Sequence, residues 1–224
     1  MHSHLLPGID DGAKDIETSV ELIKGLKEQG YSKLITTPHI LWDMYKNTPS
    51  VIHSKLELVR EELDKQGIEI ELQAAAEYFL DDHVSELLQK KEPLLTIRDN
   101  WVLVEFSVMH MSMIMKEILF DMQMAGYQPV LAHPERYTYL YKKYDVLHEL
   151  KENGCFFQLN ILSLSGGYGK TVSEMAGYFI KNDFYDLIGT DMHHTGHLQR
   201  LKTLEFSPQL QELANSGRLM NNQL

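Results

Sequence analysis

His2 and His4 stand one residue apart in the opening run Met1-His-Ser-His-Leu-Leu-Pro-Gly-Ile-Asp-Asp-Gly12, and two imidazoles at that spacing are suited to hold a cation. Alternate strand residues point to the same side, so a His-x-His pair at a strand end aims both rings at one point. Taken alone, the pair fits equally a solvated terminus or the remnant of a purification tag. Further hard ligands arriving at matching places decide between these readings, and the chain supplies them: Asp11, His39, Glu77, Glu105, His133, Asp191 and His193.

Positioning nine such residues requires elements that end together. Apolar residues at helical spacing predict helices over 15–29, 50–66, 83–89, 113–124, 141–152 and 172–181, the first two closed by Gly30 and Gly67. Between them, short apolar runs predict strands at 33–37, 68–76, 101–104, 129–132, 155–159 and 187–190. Alternation of this kind implies a parallel sheet, either open and doubly wound or closed as a barrel. Six strands are visible, and the residues just before His2 would supply a seventh, which favours a distorted TIM-like barrel of about seven units. His39, Glu77, Glu105, His133, Asp191 and His193 each stand immediately after one of these strands. In a parallel barrel all carboxyl ends open on one face, so these residues converge although far apart in sequence.

Any one of them has an ordinary alternative, as a histidine capping a strand or a glutamate opening a loop. Together, five histidines and four carboxylates around one cleft would drive the acids to protonate unless cations were present. The set is nitrogen and oxygen with no sulfur, which suits Mn, Fe or Zn, and nine ligands call for two or three divalent ions. Clusters of this kind serve phosphate-ester hydrolysis, in which metals bring the pKa of water towards about 7 and so supply a hydroxide nucleophile.

The remaining composition narrows the classes. With 224 residues, 43% of them apolar, the chain fits one compact domain spanning 1–224. Its 21 basic and 32 acidic residues give a net charge of -11, which argues against nucleic acid or an anionic membrane as partner. Cys155 is the only cysteine. No internal disulfide can form, a cytoplasmic location is expected, and the apolar strand around the thiol makes it a poor nucleophile. No apolar stretch approaches a membrane span, so membrane insertion is not expected.

The segments His2-Ser-His4-Leu-Leu-Pro-Gly8-Ile-Asp-Asp11-Gly12, Thr37-Pro-His39, Glu77, Glu105, His133-Pro-Glu-Arg136-Tyr137 and Asp191-Met-His193 together resemble the PHP (polymerase and histidinol phosphatase) superfamily. Within it the chain is similar to the bacterial manganese-dependent protein-tyrosine phosphatases of the CpsB/CapC/YwqE type, from residue 2 to about residue 197. The resemblance implies an α/β fold, a distorted (β/α)7 barrel of the PHP type, holding two or three divalent ions, with Mn foremost and Fe or Zn as alternatives. His2, His4, Glu77 and Asp191 would surround the first ion. Glu77, Glu105 and His133 would hold the second, and Asp11, His39 and His193 the third. Arg136 would clamp the phosphoryl oxygens, with Asp191 and His193 completing the catalytic set. The implied substrate is a phosphotyrosine-containing protein, a bacterial tyrosine kinase of capsule or exopolysaccharide synthesis.

The chain departs from that pattern in places. Only Met1 precedes His2, which predicts that His2 and His4 are the least firmly anchored ligands. Where the family often carries a second arginine after Asp191-Met-His193, this chain has His194, Thr195, Gly196 and His197, with Arg200 further on; His197 or Arg200 would substitute. Tyr137 either stacks on an aromatic substrate or packs beneath the loop. Asp11 is read as the ligand and Asp10 as its outer or turn neighbour, the two being able to exchange roles. The Gly166-Gly167-Tyr-Gly169-Lys-Thr171 run imitates a phosphate-binding loop but has Leu164 where the first glycine belongs, and reads as a flexible loop over the site. His53, His83, His110 and His148 read as surface or packing residues, and the methionines of 109–115 as adaptable apolar contacts rather than a soft-metal site. Two rival functions remain: a PHP phosphoesterase acting on histidinol phosphate or another small phosphomonoester, and a non-catalytic phosphotyrosine-binding metal module.

Overall fold

Short apolar runs that cannot bury both faces alone, set between amphipathic stretches, fold as parallel strands covered by helices. The computed structural model describes residues 1–205 and 207–224. Its elements in chain order are α1 (Ile16–Glu28), β1 (Lys33–Thr36), β2 (His39–Ile40), α2 (Pro49–Lys65), β3 (Glu71–Ala74), β4 (Glu77–Phe79), α3 (Asp82–Lys90) and β5 (Trp101–Glu105). They continue with α4 (Met115–Met124), β6 (Gln128–Ala132), α5 (Asp145–Glu152), β7 (Phe156–Asn160), α6 (Lys170–Lys181), β8 (Leu187–Gly189), α7 (Thr195–Lys202) and α8 (Pro208–Asn215). Side-chain caps start several helices, with Asp15, Thr48 and Asp81 accepting from the first-turn amides of α1, α2 and α3.

All strand pairs are parallel, in the order β1-β3 and β2-β4-β5-β6-β7-β8. The strands expected at 33–37 and 68–76 form as β1 and β3, and each is followed after a two-residue break by a short further strand, β2 and β4. At the first break Pro38 has no amide hydrogen to give, and the Thr37 amide donates to Ser3 O instead (2.7 Å). Ser3 also pairs in parallel with Met192, with His4 N donating to Met192 O (2.8 Å) and Asp191 N to His2 O (2.9 Å). The opening segment thus lies between β8 and the β1 line as a seventh strand reduced to a bridge. This α/β architecture of parallel strands is the one expected, in distorted form.

The expectation of loosely anchored His2 and His4 is corrected. Both are fully buried. The main-chain bonds just described fix them, and the Ala13 amide bonds His4 O (3.0 Å). Gly12 is required beside them, because a Cβ there would lie 2.3 Å from His4 O.

Side chains of one strand face form an inner cluster of Ile35, Ala75, Leu103, Val130, Ala132 and Leu187, stoppered by Met1, Trp101, Phe156, Met220 and Leu224. The opposite faces, including Leu34, Val102, Val104, Leu131 and Leu159, pack under the helices in the larger core. The inner cluster closes the amino end of the strands and leaves the carboxyl end for polar residues. Helices α7 and α8 were not anticipated; α7 packs on α1, where Leu198 lies against Gly25. No helix among the described residues is long and apolar enough to cross a membrane.

Candidate metal centre

Each of the nine residues named from the sequence reaches the carboxyl end of the strands. His39 opens β2, Glu77 opens β4 and Glu105 closes β5, while His133 follows β6 and Asp191 and His193 follow β8. Three of them turn inward on left-handed backbone, His2 (φ 62°), His133 (φ 34°) and Asp191 (φ 48°). Such a conformation costs a non-glycine residue about 1–3 kcal/mol and persists where surrounding bonds over-determine it. Here those bonds are His133 N to Gln158 O (2.8 Å) and Asp191 N to His2 O (2.9 Å).

The ligand-type atoms fall into three overlapping groups: His2, Glu77, His133 and Asp191; His39, Glu77 and Glu105; and His4, Asp11, His39 and His193. The membership is the expected nine, but the partition differs from that implied by the resemblance. His4 stands with the Asp11 group while keeping Nε2 3.3 Å from Glu77 Oε2. His133 stands with His2, its Nε2 3.2 Å from Glu77 Oε1 and 4.0 Å from Glu105 Oε2. Glu77 is the hub, its Oε2 also lying 3.1 Å from His2 Nε2 and 3.4 Å from His39 Nδ1.

Residues behind these aim the rings. Gln158 Oε1 accepts from His2 Nδ1 (2.6 Å) and Asp10 Oδ2 from His4 Nδ1 (2.8 Å). Both bonds put a proton on Nδ1 and turn Nε2 into the cluster. Asp10 also accepts from the amides of Gly12 (3.0 Å) and His39 (3.1 Å), which places it outside the cluster with Asp11 inside. Asn160 Nδ2 donates to Asp191 Oδ2 (2.9 Å). Gln158 and Asn160 were not read from the sequence; their only signal there is a polar residue in an apolar strand run. Glu135 ties the loop after β6 to Asn160 N, Ser163 Oγ and Tyr185 OH, and burial pushes its carboxyl up.

Burial opposes charge on Glu77, yet His2 and His39 hold its carboxyl well below the usual range. Asp191 behaves likewise beside His2 and His193. Burial would lower His2, but Glu77 and Asp191 raise it to about 10. The acids are ionised in the fold, held so by the imidazoles that face them. Among the buried polar atoms without a hydrogen-bond partner are His4 Nε2, His39 Nδ1 and Glu77 Oε1. All three face the cluster, as the donor atoms of a divalent-metal site would, so the residues fit divalent metals.

A cleft of about 270 Å³ opens on the centre, lined by Asp11, His39, Glu105, His133, Asp191 and His193, by Arg136, and by apolar side chains from the loops after β2 and β5. Arg136 Nη1 lies 2.7 Å from Asp191 Oδ2, and its guanidinium rests 5.0 Å from the Tyr168 ring centroid. Asp191 presents Oδ1 to His2 and His4 (3.1 and 3.6 Å) and Oδ2 to Arg136. Cluster and guanidinium are therefore joined through one carboxylate.

The sequence of the family described as capsular polysaccharide synthesis, CpsB/CapC, matches residues 1–212. The chain belongs to the CpsB/CapC family. It is 29% identical to the tyrosine-protein phosphatase YwqE of Bacillus subtilis, covering all of this chain and 91% of that protein. It is 31% identical to the tyrosine-protein phosphatase CpsB of Streptococcus pneumoniae, over 87% of this chain and 82% of that one. Its fold matches a crystal structure from work on YwqE and CpsB, described as unique metal-dependent tyrosine phosphatases. The TM-score is 0.83 and the identity 29%, over all of this chain and 94% of the other.

Within this CpsB/CapC-family chain, three expected substrate contacts are corrected. Tyr137 is fully buried; its hydroxyl donates to Ala132 O and accepts from Phe106 N, each at 3.0 Å. It packs beneath the loop and does not face the cleft. His197 is committed to the Asp191 main chain, its Nδ1 3.2 Å from Asp191 O, and burial lowers it to about 4. Arg200 is exposed and lies against Gly167, away from the cleft lining. In the glycine-rich run Gly169 precedes α6 and Tyr168 lies against Arg136, at the edge of the centre. His83 stacks on Trp42 (3.8 Å) and His148 meets the Tyr178 hydroxyl (3.1 Å), both away from the centre. Cys155 is buried and its thiol is pushed up to about 12, consistent with an inert side chain.

Proposed function

We propose that this chain is a metal-dependent protein-tyrosine phosphatase, a single PHP phosphatase domain over 1–224 that hydrolyses phosphotyrosine on a bacterial tyrosine kinase of capsule or exopolysaccharide synthesis. The observation that carries the reading is the contact between the nine-residue centre and Arg136 through Asp191. The tyrosine-phosphatase names of the YwqE and CpsB relatives and the metal dependence ascribed to them support it. The capsular description of the family supports the setting.

His2, His4, Asp11, His39, Glu77, Glu105, His133, Asp191 and His193 would hold two or three divalent ions, with Mn preferred to Fe or Zn for a mixed imidazole and carboxylate set. When bound, such ions supply hydroxide near neutral pH and neutralise phosphoryl charge. Arg136, held by Asp191 Oδ2 at one nitrogen, offers its remaining N–H groups to nonbridging phosphate oxygens, where charge gathers in the transition state. His193 and Asp191 fix the cleft side on which the phosphate would sit. A tyrosyl leaving group, with pKa about 10, needs less protonation than an alkyl alcohol, which suits a cleft whose lining acids, among the described residues, all belong to the ligand set. The lone buried thiol and net negative charge are consistent with a cytoplasmic enzyme that binds neither nucleic acid nor lipid.

The test is phosphate release from a phosphotyrosyl peptide, with histidinol phosphate as comparison, by protein stripped of metal and then reloaded with Mn. Turnover of the peptide that depends on Mn is expected. Preferential turnover of histidinol phosphate, or stoichiometric peptide binding without release, would replace the reading with one of its rivals.

A further inference from the structure

The ligand residues form the floor of the cleft, and apolar side chains rise beyond them on the side of β2, β4 and β5. Its apolar lining comes from neighbouring strands: Leu41, Met44 and Tyr45 follow β2, Phe79 closes β4, and Phe106 and Val108 follow β5. Arg136 follows β6, and Asp191 and His193 follow β8 at the far edge of the same sheet. A phosphomonoester with its phosphate at Arg136 therefore has its organic group directed over β2, β4 and β5. Tyr45 is fixed there by stacking on His39, with ring centroids 5.8 Å apart and planes 15° apart. Phe106 is held from behind by Tyr137, whose ring lies 5.4 Å away and whose hydroxyl bonds its amide. Met44 and Val108 complete the two lips and are 68% and 40% exposed. Exposed apolar side chains on both lips of a polar cleft have no folding role that the core requires.

We infer that Leu41, Met44 and Tyr45 on one lip and Phe79, Phe106 and Val108 on the other form an aryl slot that selects phosphotyrosine over alkyl phosphates. The inference rests on the phosphatase reading for the position of the phosphate. Met44 and Val108 are its adjustable members, since a thioether and a branched alkyl group cover a ring face without competing for the phosphate. The cleft volume of about 270 Å³ leaves room for a phenyl ring beside the phosphate, whereas a short alkyl ester would leave the apolar side wet.

The test uses the metal-loaded full chain and two probes that cannot be hydrolysed, phenylphosphonate and methylphosphonate, with binding followed by calorimetry. Wild type is expected to prefer phenylphosphonate by about tenfold, the scale of burying one ring face. In the Met44→Ala, Val108→Ala double variant that ratio should fall about fivefold. Truncating two exposed side chains removes little from the core, and an unchanged melting temperature verifies that the variant is folded. A wild-type ratio near one, a ratio unmoved in the variant, or no binding of either probe overturns the slot. Phosphotyrosyl-peptide turnover is measured separately, so an enzyme that hydrolyses the peptide yet shows no ring preference refutes the slot alone. Ring preference without turnover refutes the phosphatase reading alone.

Discussion

Asp10 touches no substrate position, yet the geometry assigns it a measurable share of metal affinity. Its Oδ2 accepts from His4 Nδ1 at 2.8 Å and from the His39 amide at 3.1 Å, and its Oδ1 from the Gly12 amide at 3.0 Å. Burial would raise its carboxyl, but His4 holds it below the usual range, so it is an anion in the fold. A hydrogen bond to a charged partner contributes about 1.5–3 kcal/mol. Loss of the bond that aims His4 therefore translates to roughly one to two decades in affinity. That is the scale seen when the outer partner of a metal-binding histidine is removed. Asp10→Ala should weaken Mn binding by about 10- to 100-fold in a chelator-competition titration, and Asp10→Asn by less, because an amide oxygen still accepts without the charge. Phosphotyrosyl-peptide turnover should be lost at limiting Mn and largely recovered at high Mn. A folded Asp10→Ala protein that binds Mn within about twofold of wild type would refute the argument that this carboxylate orients the centre.

Other perturbations separate the parts of the site. Arg136→Ala should lower turnover by about two to three decades while Mn content, measured by elemental analysis, stays at the wild-type value; full activity would remove Arg136 from the reaction. Tyr137→Phe leaves the Phe106 amide and the Ala132 carbonyl short of a buried partner, so urea unfolding should show about 1–3 kcal/mol lost with KM for the peptide unchanged. A raised KM would reinstate Tyr137 as a substrate contact. In metal-free protein, His2 is raised from its ordinary 6.5 to about 10 by Glu77 and Asp191 against the opposing effect of burial. Its contribution to stability is then fully present below pH 6.5 and lost as pH rises through about 10. Glu77 and Asp191, both lowered, contribute above their ordinary values and lose that contribution on acidification. The urea midpoint of metal-free protein should therefore decline between pH 6.5 and 10, and a flat profile there would refute the assigned pairing. Mn should lift the alkaline limb, since it binds neutral imidazole.

The parallel alternation and the meeting of the ligands were legible because strand length and apolar periodicity are local, and because a parallel sheet sends every carboxyl end to one face. The breaks at 37–38 and 75–76 were not legible. At the first, the Thr37 amide bonds Ser3 O, more than thirty residues away, and the second lies opposite it, where Ala75 and Glu77 donate to Thr36 O and Pro38 O. The same distance dependence explains the mistaken view of His2 and His4. Counting residues ahead of them suggested a frayed end, whereas their anchoring comes from 190–192 and from Gly12, as the bonds to Asp191 and Met192 show. Tyr137 lies beside the clamp in sequence, but the three-residue turn over Pro134–Arg136 sends the arginine out and the tyrosine in.

The left-handed backbone at His2, His133 and Asp191 explains why the grouping of ligands was harder to read than their identity. All three belong with Glu77 in one fully buried group. In a regular strand, side-chain direction follows from alternation, so residues can be assigned to faces by counting. A residue with positive φ at the strand end breaks that rule and swings its side chain off the alternating pattern, toward a point that only the neighbouring strands define. Gly189 shows the same crowding, for a Cβ there would stand 2.6 Å from Gln158 Nε2 and 2.8 Å from the His2 Cβ. The absence of a side chain at Gly189 leaves the space in which Gln158 reaches His2. Residue type alone reports that a cation is wanted. Which histidine shares it with which carboxylate is decided by strained turns and second-rank contacts, and these exist only once the strands have closed around the centre.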